Sequence, residues 1–395
     1  MGSAHRSRGS ISMLALLAVL YLVRTISLPA GMAVDLSPPE GPWTVQDHYW
    51  GPSGPGIASL RTIALSRTGS VGVIVYPQGR YVQPGHEILI LRPDGSHVVL
   101  TTPPEEELAK TFRQAAIVNG ESVHPGAYFV AIRFARDGTP FATVAWNFSG
   151  AFSGSDKAVF EWNGSKWVNA LPADTPLDWT NVGVGAADMP WRAAYNVDYS
   201  NTFPALDEVG RVPHYQEFWT FLGDGEHQAR LGYGASMGMN GSAVVGYSAG
   251  LASVSQRNLG PCRAWAWLGS ELVQLGPGVA YSINASHDIV GDDEEAIGAK
   301  ARPVLWHDRT KIVLSGENGS ALAIADDGTI VGRLGEEGFI VRGGDPTRKV
   351  VRIDALLRPQ GWHVSAVYGV ASSGRLLAVG HRNSEAQRVL ILDPQ

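Results

Sequence analysis

Residues 238–250 read GMNGSAVVGYSAG, and the same plan returns downstream as SINASHDIVG (282–291) and AIADDGTIVG (323–332). In each stretch a short polar turn separates two apolar runs, and the second run ends in a hydrophobic pair followed by glycine. Short apolar runs of this kind, bounded by turn residues, are typical of β-strands. The recurring segment therefore predicts a repeated β-hairpin.

The spacing of the repeat predicts the architecture. Its second strand ends in glycine at intervals of 41 to 48 residues, at Gly246, Gly291, Gly332 and Gly380. A third strand follows, and its alternating apolar residues fall on one face: Trp265/Trp267, Val304/Trp306, Phe339/Val341 and Leu390/Leu392. Looser copies in the first half carry Leu89/Leu91, Phe160/Trp162 and Trp219/Phe221. Four short strands in about 48 residues are typical of a propeller blade.

We therefore expect an all-β fold, a β-propeller with seven blades of four antiparallel strands over residues 57–395. The last unit stops after its third strand, at Asp393-Pro394-Gln395. Residues 44–50, within the N-terminal segment 34–56, have no other role in the repeat. We expect them to supply the missing strand and to close the ring. Six or eight blades remain alternatives, since the first half of the chain is irregular.

The turns between the apolar runs are rich in Asx-Gly pairs. This dipeptide tolerates the positive φ angles of tight hairpin turns. The pairs are Asp94-Gly95, Asp137-Gly138, Asn163-Gly164, Asp224-Gly225, Asn240-Gly241 and Asp327-Gly328. They predict hairpin connections at these six places.

Residues 1–33 have the layout of a secretory signal peptide. A basic start precedes the apolar run Ile11–Val23, and small residues lead to a cleavage site after Ala33. The apolar run is shorter than the ~20 residues of a membrane-spanning helix. We expect a secreted or periplasmic protein without a membrane span after signal removal; an uncleaved anchor is the alternative.

Composition narrows the classes of partner. The chain has 31 basic and 37 acidic residues, a net charge of −6, and no basic patch, so nucleic acid is not an expected partner. Cys262 is the only cysteine, which excludes an intrachain disulfide and a cysteine-based zinc site. No histidine pair has metal-ligand spacing, and no cofactor is expected.

Two insertions interrupt the repeat, at residues 101–127 and 172–217, and loops on a rigid scaffold often carry binding groups. In the first insertion, the acidic residues after Pro104 predict a short helix. The second is aromatic, and it supplies the candidate ligand-binding residues Trp179, Trp191, Tyr195 and Tyr199. These rings could form a platform for a glycan or a protein, or could pack locally under a long loop.

Ser248 is the one candidate nucleophile. Gly246-Tyr247-Ser248-Ala249-Gly250 fits the G-x-S-x-G pattern of an α/β-hydrolase elbow. The hydrophobic-pair-plus-glycine element recurs in units that lack the serine, and the chain lacks alternating strands and helices. The strand interpretation is therefore favoured over the elbow.

The acidic run Asp292-Asp293-Glu294 is a weak candidate for a cation site, because clustered carboxylates can bind calcium. Its spacing is not that of an EF-hand. A solvated acidic loop is the favoured interpretation.

The repeat resembles the bacterial extracellular family named for a His-Ala-Phe tripeptide (HAF repeats). The best matches are Ser282-Ile283-Asn284 with Ile289-Val290-Gly291, and Ala323-Ile324-Ala325 with Ile330-Val331-Gly332. The likeness covers about residues 230–395, and Arg263-Ala264-Trp265 replaces the tripeptide itself. The resemblance implies a secreted propeller-like protein without an assigned reaction.

Together these patterns predict a non-catalytic binding or interaction scaffold, whose binding surface is one end of the ring. The alternative is a glycan-processing hydrolase or lyase on the same scaffold, because propellers host both classes. The alternative would need convergent carboxylates or histidines on one face.

Overall fold

The computed structural model describes residues 43–48, 63–75, 87–104, 106–108, 126–148, 154–170, 182–187, 193–198, 218–223, 228–233, 235–250, 260–294, 300–344, 347–382 and 387–394. All of them belong to one compact unit, Pro42–Gln395. Between residues 182 and 233 the description covers the backbone of four strands and not their side chains. No helix among the described residues has the length and apolarity needed to cross a bilayer.

The described strands form seven four-stranded antiparallel sheets, numbered here in chain order. Strand β1 (Trp43–His48) belongs to sheet 7. Sheet 1 contains β2 (Ile63–Leu65), β3 (Val71–Val75), β4 (Glu87–Leu91) and β5 (His97–Thr101); sheet 2 contains β6 (Gly126–Phe134), β7 (Pro140–Phe148), β8 (Gly154–Trp162) and β9 (Trp167–Asn169); sheet 3 contains β10 (Val182–Ala187), β11 (Ala193–Asp198), β12 (Phe218–Gly223) and β13 (Gln228–Tyr233).

The second half of the chain repeats this plan. Sheet 4 contains β14 (Ala235–Asn240), β15 (Ala243–Gly250), β16 (Gly260–Leu268) and β17 (Glu271–Pro277); sheet 5 contains β18 (Val279–Ile283), β19 (Ile289–Asp292), β20 (Pro303–His307) and β21 (Thr310–Val313); sheet 6 contains β22 (Gly319–Ile324), β23 (Ile330–Leu334), β24 (Glu337–Val341) and β25 (Val351–Arg352); sheet 7 contains β26 (Trp362–Val370), β27 (Leu376–Arg382) and β28 (Arg388–Pro394) with β1. A short helix α1 (Ile353–Leu357) and a 3-10 turn (Arg358–Gln360) lead into β26.

The sheets pack face to face around an axis. The first strand of each sheet contacts the first strand of the next, and β2 of sheet 1 also contacts β26 and β27 of sheet 7. The hydrophobic clusters lie between neighbouring sheets, including one that joins Ile63 and Val73 of sheet 1 to Leu377 and Ile391 of sheet 7. The chain is therefore an all-β propeller with four-stranded antiparallel blades.

The glycine of the repeat has a packing role. Gly246, Gly291, Gly332 and Gly380 all lie in the second strand of their sheets. A Cβ at any of them would collide with a backbone carbonyl of the first strand and with a third-strand side chain: Trp265, Trp306, Phe339 or Leu390 respectively. The first strand bulges beside the glycine in each of these four sheets. The glycine thus leaves room for both the bulge and the large side chain, which explains why they recur together.

The predicted third-strand pairs are mostly core residues. Val304, Trp306, Phe339, Val341, Leu390 and Leu392 are all buried. Sheet 1 differs, since Ile88 and Ile90 are buried there while the predicted pair Leu89/Leu91 is half-buried. Leu89 and Leu91 share one face of β4 as expected, but β4 is apolar on both faces, so alternation does not identify the inner one. The side chains of Trp219 and Phe221 are outside the described residues.

Both chain ends contribute strands to sheet 7. β1 pairs antiparallel with β28, from Trp43 opposite Pro394 to His48 opposite Val389. Arg375 is 7% exposed and lies beside this joint. It donates two hydrogen bonds to the Asp393 carboxylate, at 2.5 and 2.9 Å, and one to the carbonyl of Gly69 in sheet 1, at 3.0 Å. One buried guanidinium therefore links the last strand to the first sheet.

Candidate functional site

A five-residue turn joins the first two strands in five sheets, at residues 66–70, 135–139, 284–288, 325–329 and 371–375. The first residue of each turn donates its N–H to the carbonyl of the fifth, and the fourth donates to the carbonyl of the first. The fourth residue has a positive φ, which glycine adopts without strain, and His287 takes this place in sheet 5. These turns confirm the predicted hairpins at Asp137-Gly138 and Asp327-Gly328; Asn240-Gly241 forms a shorter turn in sheet 4.

The second residue of the turn lies at one end of the propeller axis. In the five turns this residue is Arg67, Arg136, Ala285, Asp326 and Ser372. The first strands are the innermost ones, so their turns surround the axial opening. The axial mouth is defined here as these five residues with Asn240 of sheet 4.

Polar side chains cross the axial mouth between sheets that are not neighbours. Arg67 of sheet 1 donates to Asp326 of sheet 6 at 2.7 Å, and Arg136 of sheet 2 donates to Asn240 of sheet 4, also at 2.7 Å. Asn240 in turn approaches Asp326 at 3.4 Å. The backbone N–H of Ala285 donates to Asp326 at 2.9 Å. Asp326 is thus the hub of a network that spans sheets 1, 2, 4, 5 and 6.

A cavity of about 200 Å³ lies beneath the axial mouth. Its described lining comes from the innermost strands of six sheets and includes apolar side chains such as Leu65, Met237 and Leu322. The charged residues of this lining are three arginines, Arg67, Arg133 and Arg136, and one acid, Asp326.

Two tyrosines also line the cavity. Burial raises the pKa of Tyr281 and of Tyr368, so both phenols stay protonated at neutral pH. The Tyr281 hydroxyl donates a hydrogen bond to the Asp292 carboxylate at 3.0 Å.

The predicted acidic loop is an interior structure, and the expectation of a solvated loop was wrong. Asp292 is 5% exposed and Asp293 is fully buried. Asp292 accepts bonds from Tyr281 and from Ser320 of the next sheet, and burial raises its pKa. Burial would also raise the pKa of Asp293, but hydrogen bonds from Arg302 and Lys311 outweigh it and lower the pKa.

Asp292 and Asp293 therefore bond to different partners. Within the described residues, no three His, Cys, Asp or Glu side chains are grouped so that they could hold a metal. The error arose because the run of acids has no apolar periodicity, while the groups that bond to it come from strands β18, β21 and β22 and from Arg302, just before β20.

Ser248 lies inside a strand. It is part of β15, in register with Arg263 of β16, and its hydroxyl donates to the Arg263 carbonyl at 3.4 Å. A nucleophile elbow instead holds its serine on the sharp turn after a strand. The strand interpretation is confirmed, and the α/β-hydrolase alternative is wrong.

The predicted aromatic platform is mostly outside the described residues, as Trp179, Trp191 and Tyr199 are. Tyr195 lies in β11, opposite Val184 and Phe221, with its side chain not described. The segment 172–217 thus includes two sheet strands, β10 and β11. In the segment 101–127, residues 106–108 are helical and Leu108 is buried, which agrees with the short helix expected after Pro104.

None of the residues of the axial mouth is among the predicted site residues. A usable signal exists, because Arg67, Arg136 and Asp326 hold the same place in their turns when the hairpins are aligned on the fourth-residue glycine. Asn240 has no such signal, since its turn is shorter.

Comparison with known proteins adds no family. No family model matches the chain, and no curated protein does. Among solved structures, the β-propeller domain of the Trilobed protease from Pyrococcus furiosus is similar at 8% identity and a TM-score of 0.48, over 84% of this chain and 94% of that one. YCF48 from Cyanidioschyzon merolae is similar at 11% identity and a TM-score of 0.40, over 89% and 99% of the two chains. Likenesses this distant carry no argument about ligand or reaction.

Proposed function

We propose that this chain is a non-catalytic binding propeller whose ligand enters the axial cavity through the axial mouth. The observation that carries the proposal is the convergence of Arg67, Arg136, Asn240 and Asp326, from four sheets, over one cavity. Convergent polar groups above an apolar wall are the usual composition of a ligand pocket.

The size of the cavity limits the ligand. Pockets for drug-sized ligands measure roughly 300–1,000 Å³, and this one measures about 200 Å³. It suits a small molecule or one terminal group of a larger ligand, such as the end of an extracellular glycan or a protein side chain.

The described lining favours binding over glycan processing. Glycoside hydrolysis generally uses a pair of carboxylates, one on each side of the scissile bond. The described lining has one carboxylate, Asp326, which is held by Arg67 and by the Ala285 N–H, and it has no histidine. The two lining tyrosines stay protonated, so neither supplies a base.

We also propose seven blades with β1 closing the ring, and a secreted or periplasmic location. The seven described sheets, the β1–β28 pairing and the Arg375 link support the first proposal. The signal-like residues 1–33 support the second. The HAF-type resemblance of residues 230–395 is consistent with both.

The test is binding followed by chemical analysis of the ligand. Residues 34–395 are titrated with a panel of neutral sugars, sugar acids and dipeptides, with melting temperature as the readout. We expect at least one class to raise the melting temperature and to be recovered unchanged by mass spectrometry. Release of a cleaved product would contradict a non-catalytic role.

A matched pair of variants locates the site. Leu322→Trp fills the cavity and should abolish the ligand-induced shift, while Val99→Trp, at a side chain that is 47% exposed on β5, should keep it. An unchanged shift in Leu322→Trp would place the ligand elsewhere, and absence of any shift across the panel would overturn the proposal.

A further inference from the structure

We infer that His363 and His381 form a binding site for a divalent transition metal that prefers nitrogen ligands, such as Zn²⁺ or Cu²⁺. The site lies on sheet 7, where β26 and β27 pair. The two histidines are directly opposite each other in the strand register, and their ring centroids are 4.7 Å apart. Both residues are half-buried, so a hydrated ion can reach their rings.

The separation of the rings fits one shared metal ion. Zn–N bonds to histidine are about 2.0–2.1 Å long, which puts the centroids of two imidazoles on one ion roughly 4.5–5.2 Å apart for bond angles of about 90–109°. The observed 4.7 Å lies in this range, and the ring planes are inclined at 54° rather than stacked face to face. In the described part of the chain no third His, Cys, Asp or Glu is placed to bind the same ion, so water completes the coordination.

Asp354 of α1 fixes the orientation of His363. This aspartate is 4% exposed, and its carboxylate accepts the backbone N–H of Val364 at 2.6 Å and bonds to Nδ1 of His363 at 2.5 Å. An ionised carboxylate only accepts hydrogen bonds, so Nδ1 carries the proton and Nε2 keeps its lone pair. Histidines that bind metals commonly donate their other N–H to a carboxylate in this way. His363 thus has the tautomer and the support of a metal ligand.

His381 contributes one nitrogen to the site. An imidazole has two ring nitrogens, so a histidine that uses one of them in another interaction can bind a metal through the second. The neighbouring register pair, Trp362 and Arg382, lies on the opposite face of the sheet because side chains alternate along a strand. The Arg382 guanidinium lies 5.7 Å over the Trp362 ring, so its charge is directed away from the metal.

The site is separate from the axial cavity. His363 is the second residue of β26, while the turn at residues 371–375 follows the last residue of that strand. The strand between them spans roughly 20 Å at about 3.3 Å per residue. The inference therefore goes beyond the proposed function and does not depend on it. Strand register brings the two histidines together, which their spacing along the chain does not predict.

The experiment titrates Zn²⁺ calorimetrically into the wild-type protein and into matched histidine variants. His363→Ala and His381→Ala should each weaken Zn²⁺ binding about a hundredfold, because loss of an outer-shell partner alone typically costs about 10–100-fold. His97→Ala is the control, since His97 is an exposed histidine at the start of β5 in sheet 1, and it should bind Zn²⁺ as the wild type does. Mg²⁺ should not compete, because it prefers oxygen ligands.

Copper gives a second readout, which a purely structural role of the histidines would not change. Electron paramagnetic resonance of bound Cu²⁺ shows splitting from each nitrogen that binds it; we expect two imidazole nitrogens in the wild type and one in His381→Ala. Asp354→Asn should keep both nitrogens and weaken Zn²⁺ binding about tenfold, as expected for a residue that positions His363.

Three results would overturn the inference: no binding of Zn²⁺, binding of equal strength in the wild type and both variants of the pair, or an equal loss in His97→Ala. None of them bears on the axial cavity, whose test uses the sugar and dipeptide panel.

Discussion

Asp326 of sheet 6 and the pair Asp292 and Asp293 of sheet 5 differ in exposure and in the origin of their partners. Asp326 lies at the axial mouth with a side chain that is 41% exposed, and its partners come from across the axis. Asp292 and Asp293 lie at the end of β19, are almost fully buried, and bond to strands of their own sheet or the next. Asp326 is therefore open to solvent at the mouth, while Asp292 and Asp293 are bonded inside the fold, where Ser320 links Asp292 to the next sheet.

The position within a blade thus decides the environment of each carboxylate. A residue in the turn after an innermost strand faces the axis, where side chains of distant sheets meet. A residue at the far end of the second strand is covered by the adjoining sheet. The side chains are chemically identical, and their exposure differs because they lie at different places in their blades.

The largest expected effect is on stability, from Asp293→Ala. The substitution removes a buried carboxylate from Arg302 and Lys311, at 2.7 and 3.1 Å. Breaking a buried pair costs about 3–5 kcal/mol; we expect about 3 kcal/mol because both cations are one-third exposed and regain water. Urea unfolding measures the loss, and a loss below about 1 kcal/mol would show that the pair behaves as a surface one.

The second effect is a pair of pH dependences with opposite signs. The raised pKa of Asp292 contributes stability that is present below the unfolded value of 3.8 and is lost as the pH rises through the folded value. The lowered pKa of Asp293 contributes stability that is present above 3.8 and is lost as the pH falls through the folded value.

Unfolding of Asp292→Asn and Asp293→Asn between about pH 3.5 and about pH 7 tests these signs. The free energy of unfolding that Asp292→Asn loses relative to wild type should become smaller as the pH rises. The corresponding loss in Asp293→Asn should grow over the same range. Losses that change in the same direction with pH in both variants would contradict the assigned environments. Because each variant is compared with wild type at the same pH, the effects of other titrating groups cancel.

The smallest expected effect on stability is at the axial mouth. Asp326→Ala should cost less than about 1 kcal/mol, because its ion pair with Arg67 is solvent-exposed and screened. A loss of stability comparable to that of Asp293→Ala would mean that the axial hydrogen bonds stabilise the fold as strongly as the buried ones, and the two regions would then not differ in stability.

The repeat was readable from the sequence because its rules are local. Gly332, Phe339 and the Asp327-Gly328 turn are close in the chain. A side chain at Gly332 would collide with Phe339 and with the first strand, and Gly328 has a positive φ. The expectations of four-stranded antiparallel blades and of a third strand with Trp306 or Leu390 on one face followed from the same local pattern.

The axial mouth could not be predicted from the sequence, because its residues are far apart in the chain. Arg67 and Asp326 are 259 residues apart, and Arg136 and Asn240 are 104 apart. Their contacts exist only because the sheets surround a common axis, which single-strand periodicity does not encode. The burial of Asp293 was missed likewise, since Arg302, just before β20, and Lys311, in β21, lie 9 and 18 residues further along the chain.

Hydrogen exchange of residues 34–395, with and without a saturating concentration of the panel compound that raises the melting temperature most, tests the central claim most directly. The account predicts slower exchange in the turns 66–70, 135–139 and 325–329, because the ligand would be held where these turns surround the axis. Protection confined to residues 171–181 and 199–217, which contain Trp179 and Tyr199, would instead place the binding surface on the aromatic insertion and contradict the axial site.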